Sequence, residues 1–148
     1  MNTQNDENKE SKSSSKNNMS EVFRKCKILI IDDDSLFRSY ALQAVKGFRS
    51  FTAQTGDEGL KIFKEEKPDI TFLDIGLPDA DGQELLKEIK TIKPNAFIVM
   101  MTGNNTQKDV QQAMQNGASG YIIKPFNVQQ VKKFVAHYIK VNAKKFTQ

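Results

Sequence analysis

Long apolar runs are missing from this chain. None exceeds the six residues at 96–101 (AFIVMM), far short of the ~20 needed to span a bilayer. The polar start also lacks the apolar stretch of a secretory signal peptide, so the expected location is cytoplasmic. Cysteine is almost absent. The single Cys26 cannot close an internal disulfide, and a lone thiol beside an apolar run reads as a small buried hydrophobe. Residues 1–23 (MNTQNDENKESKSSSKNNMSEVF) have almost nothing to bury, so ordering them would cost entropy without return. They are expected to form a disordered polar tail, with 24–148 as one domain and no room for a second.

Acidic side chains are missing from the last part of the sequence. From Lys124 onward there are six lysines (124, 132, 133, 140, 144 and 145) and no Asp or Glu, whereas Asp32, Asp33 and Asp34 stand together early on. The net charge of +4 is therefore segregated.

What is present is a recurrent pattern. Four short apolar runs, 28–31 (ILII), 70–73 (ITFL), 96–101 (AFIVMM) and 119–123 (SGYII), are too short for helices. They do not alternate with polar residues, which suits strands covered on both faces. A weaker candidate lies at 49–53 (RSFTA). Between them the period becomes helical: Phe37, Tyr40, Ala41, Ala44; then Leu85, Leu86, Ile89, Ile92; then Val110, Ala113, Met114; and finally Val128, Val131, Val135, Tyr138. Ser35 is a candidate cap for the first helix, Gly47 its stop and Gly117 the stop of the fourth. Strands and helices alternating five times predict an α/β fold with a parallel sheet and helices on both faces.

In such sheets ligands bind beyond the carboxyl ends of the strands. The residues at the ends of the strong runs are Asp32 and Asp33, then Asp74, then Thr102, then Lys124. Three converging carboxylates repel, at roughly 4 kcal/mol per pair for ~4 Å and an effective dielectric near 20. A hard dication such as Mg²⁺, which prefers oxygen ligands, would compensate. Lys124 and Thr102 add a positive charge and a hydroxyl donor, suited to phosphoryl oxygens. A carboxylate nucleophile beside a metal is an aspartyl-phosphate site. Asp74 is the expected acceptor, because it lies on the middle of the three carrying strands and has no carboxylate on its own turn. Asp32 and Asp33 read as metal ligands, although adjacent aspartates after a strand also serve as turn and cap residues. Asp34 reads as a turn residue only.

The blocks ILIIDDDSLFR, AQTGDEGL, FLDIGLPDADG, MTGNN and GASGYIIKPF resemble, in content and order, the receiver domains of two-component response regulators, including the chemotaxis regulator. The resemblance runs from about Lys27 to Val141. It implies a flavodoxin-like, doubly wound (βα)5 fold with strand order 2-1-3-4-5. It also implies Asp33 and Asp74 as direct Mg²⁺ ligands, Asp32 as a ligand through water, and the backbone carbonyl of Gly76 as a further ligand. Asp74 would be phosphorylated, Thr102 and Lys124 would contact the phosphoryl group, and the Lys124–Pro125 bond would be cis. Tyr121 matches the aromatic switch position whose ring turns inward when Thr102 moves. Such a domain is a regulator that assists only its own phosphorylation and dephosphorylation. Its donor would be a histidine kinase or histidine phosphotransfer protein, and its target a protein contacted through the fourth and last helices. Two small residues depart from the common pattern: Gly76 stands two positions after the acceptor, and Gly103 follows Thr102, leaving the site open to a donor imidazole or to water.

Two other function classes compete. A phosphatase of the haloacid-dehalogenase type also uses an aspartate after a strand with Mg²⁺, but wants a second Asp where this chain has Gly76, and a cap domain. A nucleic-acid-binding adaptor would rest on the ridge of Lys133, His137, Lys140 and Lys144 on the last helix. No recognition module accompanies that ridge, and a solvated helix face whose cations favour its C-terminus is the preferred reading. Neither nucleic acid nor membrane is expected as a partner.

Overall fold

Each apolar run is a strand because both of its faces are covered. The computed structural model describes residues 19–103 and 107–147. In chain order the elements are β1 (Lys27–Ile31), α1 (Ser35–Ala44), β2 (Arg49–Ala53), α2 (Gly56–Glu66), β3 (Ile70–Asp74), α3 (Gly82–Ile92), β4 (Phe97–Thr102), α4 (Gln107–Gln115), β5 (Gly120–Ile123) and α5 (Val128–Phe146). The five strands form one parallel sheet in the order β2-β1-β3-β4-β5. This is the flavodoxin-like doubly wound arrangement expected from the sequence.

Successive strand side chains point to opposite faces, and this sorts each run into two cores. Ile28, Ile30, Ile70, Phe72, Val99 and Met101 pack with Ala41 and Ala44 of α1 and Val131, Val135 and Tyr138 of α5. Leu29, Ile31, Leu73, Ile98 and Met100 pack on the other face with Phe63 of α2, Leu85, Leu86 and Ile89 of α3 and Ala113 of α4. Each fully buried side chain of this size contributes roughly 1.5–3 kcal/mol of apolar burial. The central strands are thus a rigid frame whose carboxyl ends can hold charged groups in fixed positions. Not every stripe residue is interior: Tyr40, Ile92 and Met114 remain exposed at the edges of their helices.

The start of α1 differs from expectation. Its N-cap is Asp34, whose Oδ1 accepts from the backbone N–H of Leu36 (2.8 Å) and Phe37 (3.5 Å), and Ser35 is the first helical residue. A carboxylate caps better here because it also faces the positive end of the helix dipole. Gly47 and Gly117 follow their helices with positive φ (99° and 95°), as helix-stopping glycines do. Asn127 caps α5 in a reciprocal box with Gln130.

A second difference lies before β1. Residues 19–23, expected to belong to a disordered tail, fall within a helical stretch, residues 19–25. Val22 is buried in the first core, and the Phe23 ring meets Phe48 edge-on at 4.7 Å. Two apolar residues spaced within one turn are enough to anchor a short helix once a neighbouring surface exists to receive them, which composition alone does not reveal. The remainder of the expected tail, residues 1–18, lies outside the described residues.

The far end of α5 bends. Asn142 leaves helical geometry (φ −114°, ψ 22°) and its Nδ2 donates to Tyr138 O at 2.9 Å. Beyond the bend Phe146 is buried and Lys145 Nζ pairs with Asp69 Oδ1 at 2.5 Å. Asp69 Oδ2 accepts from the Lys27 backbone N–H at 2.8 Å. The basic ending is therefore not wholly a solvated face, since Lys124 and Lys145 both neutralise buried carboxylates.

Candidate functional site

The parallel register brings four strand ends to one rim. Ile31 pairs with Leu73, Asp74 with Met101, and Thr102 with Ile123, so Asp32, Asp74, Thr102 and Lys124 emerge side by side. The rim is stitched by backbone bonds: Asp32 N–H to Ala53 O (3.0 Å), Ile75 N–H to Met101 O (3.0 Å) and Lys124 N–H to Thr102 O (2.7 Å). Gly82 lets the α3 N-terminus approach the chain directly behind the acidic rim. A Cβ there would lie 2.5 Å from Ile75 Cα and 2.6 Å from Asp74 O. The loop between them is pinned from the other side by Asp79, whose carboxylate accepts from the N–H groups of Gly56 (2.7 Å) and Asp57 (3.1 Å) at the start of α2. Those two donors hold the Asp79 carboxyl below the usual carboxylate range.

Asp33, Asp74, Gly76, Thr102, Gly103 and Lys124 line a cavity of about 860 Å³ at this rim. Asp32 and Asp74 are almost wholly buried (0% and 5% exposed), whereas Asp33 is exposed. One oxygen from each of the three carboxylates can be chosen so that all lie within 4.8 Å of one another. A single ammonium serves the buried pair: Lys124 Nζ is 2.7 Å from Asp32 Oδ2 and 3.4 Å from Asp74 Oδ2. The same Nζ lies 4.5 Å from the centre of the Phe37 ring, a cation–π contact that holds the lysine stem over α1.

Each carboxylate has a partial set of partners. Asp32 Oδ1 accepts from the Asp34 N–H at 2.9 Å, while its Oδ2 has the Lys124 ion pair and no well-directed hydrogen bond. Asp74 Oδ1 accepts from the Gly76 N–H at 3.2 Å. Burial, and next the Asp32 charge, push the Asp74 carboxyl up to about 6, against the opposing pull of Lys124 and the Gly76 N–H. The rim therefore carries three formal negative charges and one positive, a deficit that a hard cation relieves. The buried Asp32 Oδ2 and an all-oxygen donor set fit Mg²⁺.

Thr102 is buried at the end of β4 and forms a side-chain hydrogen bond with Tyr121. Tyr121 is half-buried against the second core and lies beside a separate surface cavity with Lys133, Phe134 and His137. Burial raises its phenol above the usual range, the Thr102 bond opposes this, and Asp109 adds to the rise. The Lys124–Pro125 bond is cis.

A family profile described as the response regulator receiver domain matches residues 28–136. The chain belongs to the response regulator receiver domain family. Receiver domains are phosphoryl-accepting switches of two-component signalling, regulators rather than conventional enzymes, and the family binds Mg²⁺ in an acidic pocket. The chain is similar to a probable C4-dicarboxylate response regulator, DctR, of Bacillus subtilis: 33% identical over 116 residues, covering 76% of this chain and 51% of that protein. It thus spans about half the length of that relative. It is also similar to sporulation initiation phosphotransferase F of the same organism, at 31% identity, covering 79% of this chain and 96% of that one. Among solved structures, the CheX–CheY–BeF3–Mg²⁺ complex of Borrelia burgdorferi resembles this receiver with a TM-score of 0.72 and 28% identity, over 78% of this chain and 88% of that chain.

All the site residues anticipated from strand ends meet at the receiver rim, and Tyr121 reaches it through Thr102. Three contributors were not anticipated. Phe37 was read as core, Asp34 as a turn residue, and Arg38 not at all, although its Nη1 donates to Asp32 O at 2.8 Å. All three lie in the block ILIIDDDSLFR, where helical spacing from Asp34 puts Phe37 and Arg38 on the turn facing the rim. The phosphatase alternative wants its second aspartate two residues beyond Asp74, and the residue lining the pocket there is Gly76. On the same helix as the basic ridge, the Tyr138 and Phe146 rings are buried and offer no stacking surface to nucleic acid. Among the described residues no helix is long and apolar enough to cross a membrane.

Proposed function

We propose that Asp74 is the phosphoacceptor of this receiver, with a histidine kinase or histidine phosphotransfer protein as donor. The observation that carries this reading is the pair of buried carboxylates, Asp32 and Asp74, sharing one ammonium at 2.7 and 3.4 Å. Asp33 and Asp74 would hold Mg²⁺ directly, Asp32 through a water, and Gly76 by its backbone carbonyl. When bound, the ion neutralises charge on the phosphoryl oxygens. A carboxyl group raised to about 6 is mostly ionised at neutral pH and more basic than an exposed aspartate, which favours it as a nucleophile. One Asp74 oxygen bonds to phosphorus as the P–N bond of the donor phosphohistidine breaks. The electron pair leaves with the imidazole nitrogen, which takes up a proton. Lys124 then turns from Asp32 to the new phosphoryl oxygens, and the Thr102 hydroxyl donates to another.

Positions 76 and 103 bear on the rate. A Cβ at either would meet nothing within 4 Å, so the open approach to Asp74 reflects the glycines themselves and not crowding by neighbours. The output reading is that Thr102 and Tyr121 couple the rim to the surface between α4, around Lys108, Gln111 and Gln112, and α5, around Lys133; Lys132, expected on the same surface, lines a groove on the other side of that helix. The deciding experiment is incubation with acetyl phosphate and Mg²⁺ followed by intact mass measurement. Wild type should gain one alkali-labile phosphoryl group and Asp74→Asn none. Equal labelling of the two would overturn the assignment.

A further inference from the structure

On the side of α5 that faces α1, away from Tyr121, lies a groove of about 460 Å³. Its floor includes Phe23, Phe48, Val135 and Ile139, and Met19, 43% exposed, stands at its edge. Ala136 lines it too and is exposed, so at that point between Lys132 and Lys140 the α5 wall is only a methyl group high. Those two lysines and Lys46, across the groove, line it as well. No carboxylate lines it, and none of the three lysines makes an ion pair among the described residues. Lys132 and Lys140, eight residues apart on the helix, are separated by about 12 Å along its axis.

The groove is not part of the family frame alone. The family match covers residues 28–136, whereas Met19 and Phe23 precede it and Ile139 and Lys140 follow it. The helical residues 19–25 and the continuation of α5 therefore complete a concave apolar surface from outside the matched residues. An apolar floor with an unneutralised cationic rim favours an occupant that is apolar on one face and acidic beside it. The chain's own residues 1–18 do not supply one. Met1 is their only large apolar residue, and Asp6, Glu7 and Glu10 are matched in number by Lys9, Lys12 and Lys16. A second copy would bring its own basic α5 against this one. A flat lipid surface would leave the concavity unfilled.

We propose that this groove docks an acidic amphipathic helix of a partner protein. Apolar side chains at i, i+3 or i+4, and i+7 of that helix enter over Ala136 between Phe48 and Ile139. Its flanking Glu or Asp residues meet Lys46, Lys132 and Lys140. The surface is independent of Asp74 and of the Tyr121 face, so it tethers a partner in both phosphorylation states.

The test uses the full chain and a labelled four-turn peptide with Leu at that spacing and Glu elsewhere. Its controls are a peptide of the same composition with scrambled spacing, a peptide with Lys in place of Glu, and anionic phospholipid vesicles. Anisotropy should show binding of the acidic amphipathic peptide, with amide shifts at Phe23, Phe48 and Ile139. Binding should weaken about tenfold or more in Ala136→Arg, in Lys132→Glu with Lys140→Glu, and with the scrambled peptide. Both variants should still accept a phosphoryl group from acetyl phosphate at the wild-type rate, which shows that they fold. No binding by the acidic amphipathic peptide overturns the proposal. So does equal binding by either control peptide, shifts confined to the Tyr121 and Lys133 face, or retention on vesicles that Ala136→Arg abolishes while the peptide fails.

Discussion

Lys124 sits closer to Asp32 than to Asp74: its Nζ is 2.7 Å from Asp32 Oδ2 and 3.4 Å from Asp74 Oδ2. The ammonium is thus primarily the counterion of a fully buried carboxylate and only secondarily a neighbour of the acceptor. Replacing it in Lys124→Met leaves two buried carboxylates without a cation. Breaking a buried pair in this way costs about 3–5 kcal/mol, to be seen in urea unfolding at pH 7 without divalent ions. Mg²⁺ should recover more stability in this variant than in wild type, because no ammonium then offsets the buried Asp32 and Asp74 carboxylates. Stability equal to wild type in the absence of Mg²⁺ would remove the ammonium from this role.

The raised Asp74 carboxyl makes a signed prediction about pH. Its value moves from the ordinary 3.8 to about 6 on folding, so the native state binds this proton more tightly than the unfolded chain does. The contribution is fully present below pH 4 and is lost as pH rises through 6. A shift of about two units corresponds to about 3 kcal/mol. Asp74→Asn, which keeps the shape and the hydrogen bond from Gly76 but carries no charge, should therefore be more stable than wild type at pH 7. The margin should shrink towards pH 4, and millimolar Mg²⁺ should narrow it at pH 7. The check is the difference between the two unfolding free energies across that range, since other titrating groups largely cancel. A margin independent of pH would mean that Asp74 is ionised as easily as an exposed aspartate.

Cys26 gives a test at the opposite end of the sheet. Burial, and next the Asp69 charge, push its thiol up to about 12, and the residue is fully buried. The thiolate is the reactive form, so native-state alkylation near pH 8 should be slower than for an exposed thiol by orders of magnitude. The rate should follow opening of the chain and fall when Mg²⁺ stabilises the fold. Rapid alkylation under native conditions would show that the end of α5 and residues 19–25 leave the bottom of the sheet open.

These residues also show why some of the architecture was legible in the sequence and some was not. β1, β3 and β4 declare themselves because a strand buried on both faces needs an uninterrupted apolar run, and the residue ending each run must then face the rim. β2, half-exposed at the sheet edge, gave a weaker signal for the same reason. Lys124 was legible as a cation near the rim, but its preference for Asp32 over Asp74 is a matter of tenths of an ångström in a packed site. The helical residues 19–25 and the Asp69–Lys145 pair were not legible. Each depends on a partner more than 20 residues away in sequence, Phe48 in one case and Lys145 in the other, and neither has a periodicity of its own. Asp34 was misread because a turn residue and an N-cap look alike until the helix boundary is known.

The hydrogen bond between Thr102 and Tyr121 carries the final prediction, which concerns output. The Thr102 hydroxyl has two competing partners: Tyr121 as the structure stands, and a phosphoryl oxygen once Asp74 is modified. Drawing Thr102 towards the rim changes the packing of the Tyr121 ring, which touches the second core and the surface cavity lined by Lys133, Phe134 and His137. A target that distinguishes the two ring positions shifts the equilibrium only by its differential affinity, typically 1–3 kcal/mol. Backbone NMR with beryllofluoride and Mg²⁺ as the phosphoryl mimic should show shift changes at Tyr121, α4 and α5 in wild type. In Thr102→Ala the mimic should still bind, yet those distant changes should shrink. The Tyr121 phenol should also titrate higher in that variant, because the bond that opposes its rise is gone. Changes confined to the loops around Asp74 in wild type would mean that Tyr121 is packing and not a switch, and the signal would have to leave the rim by another route.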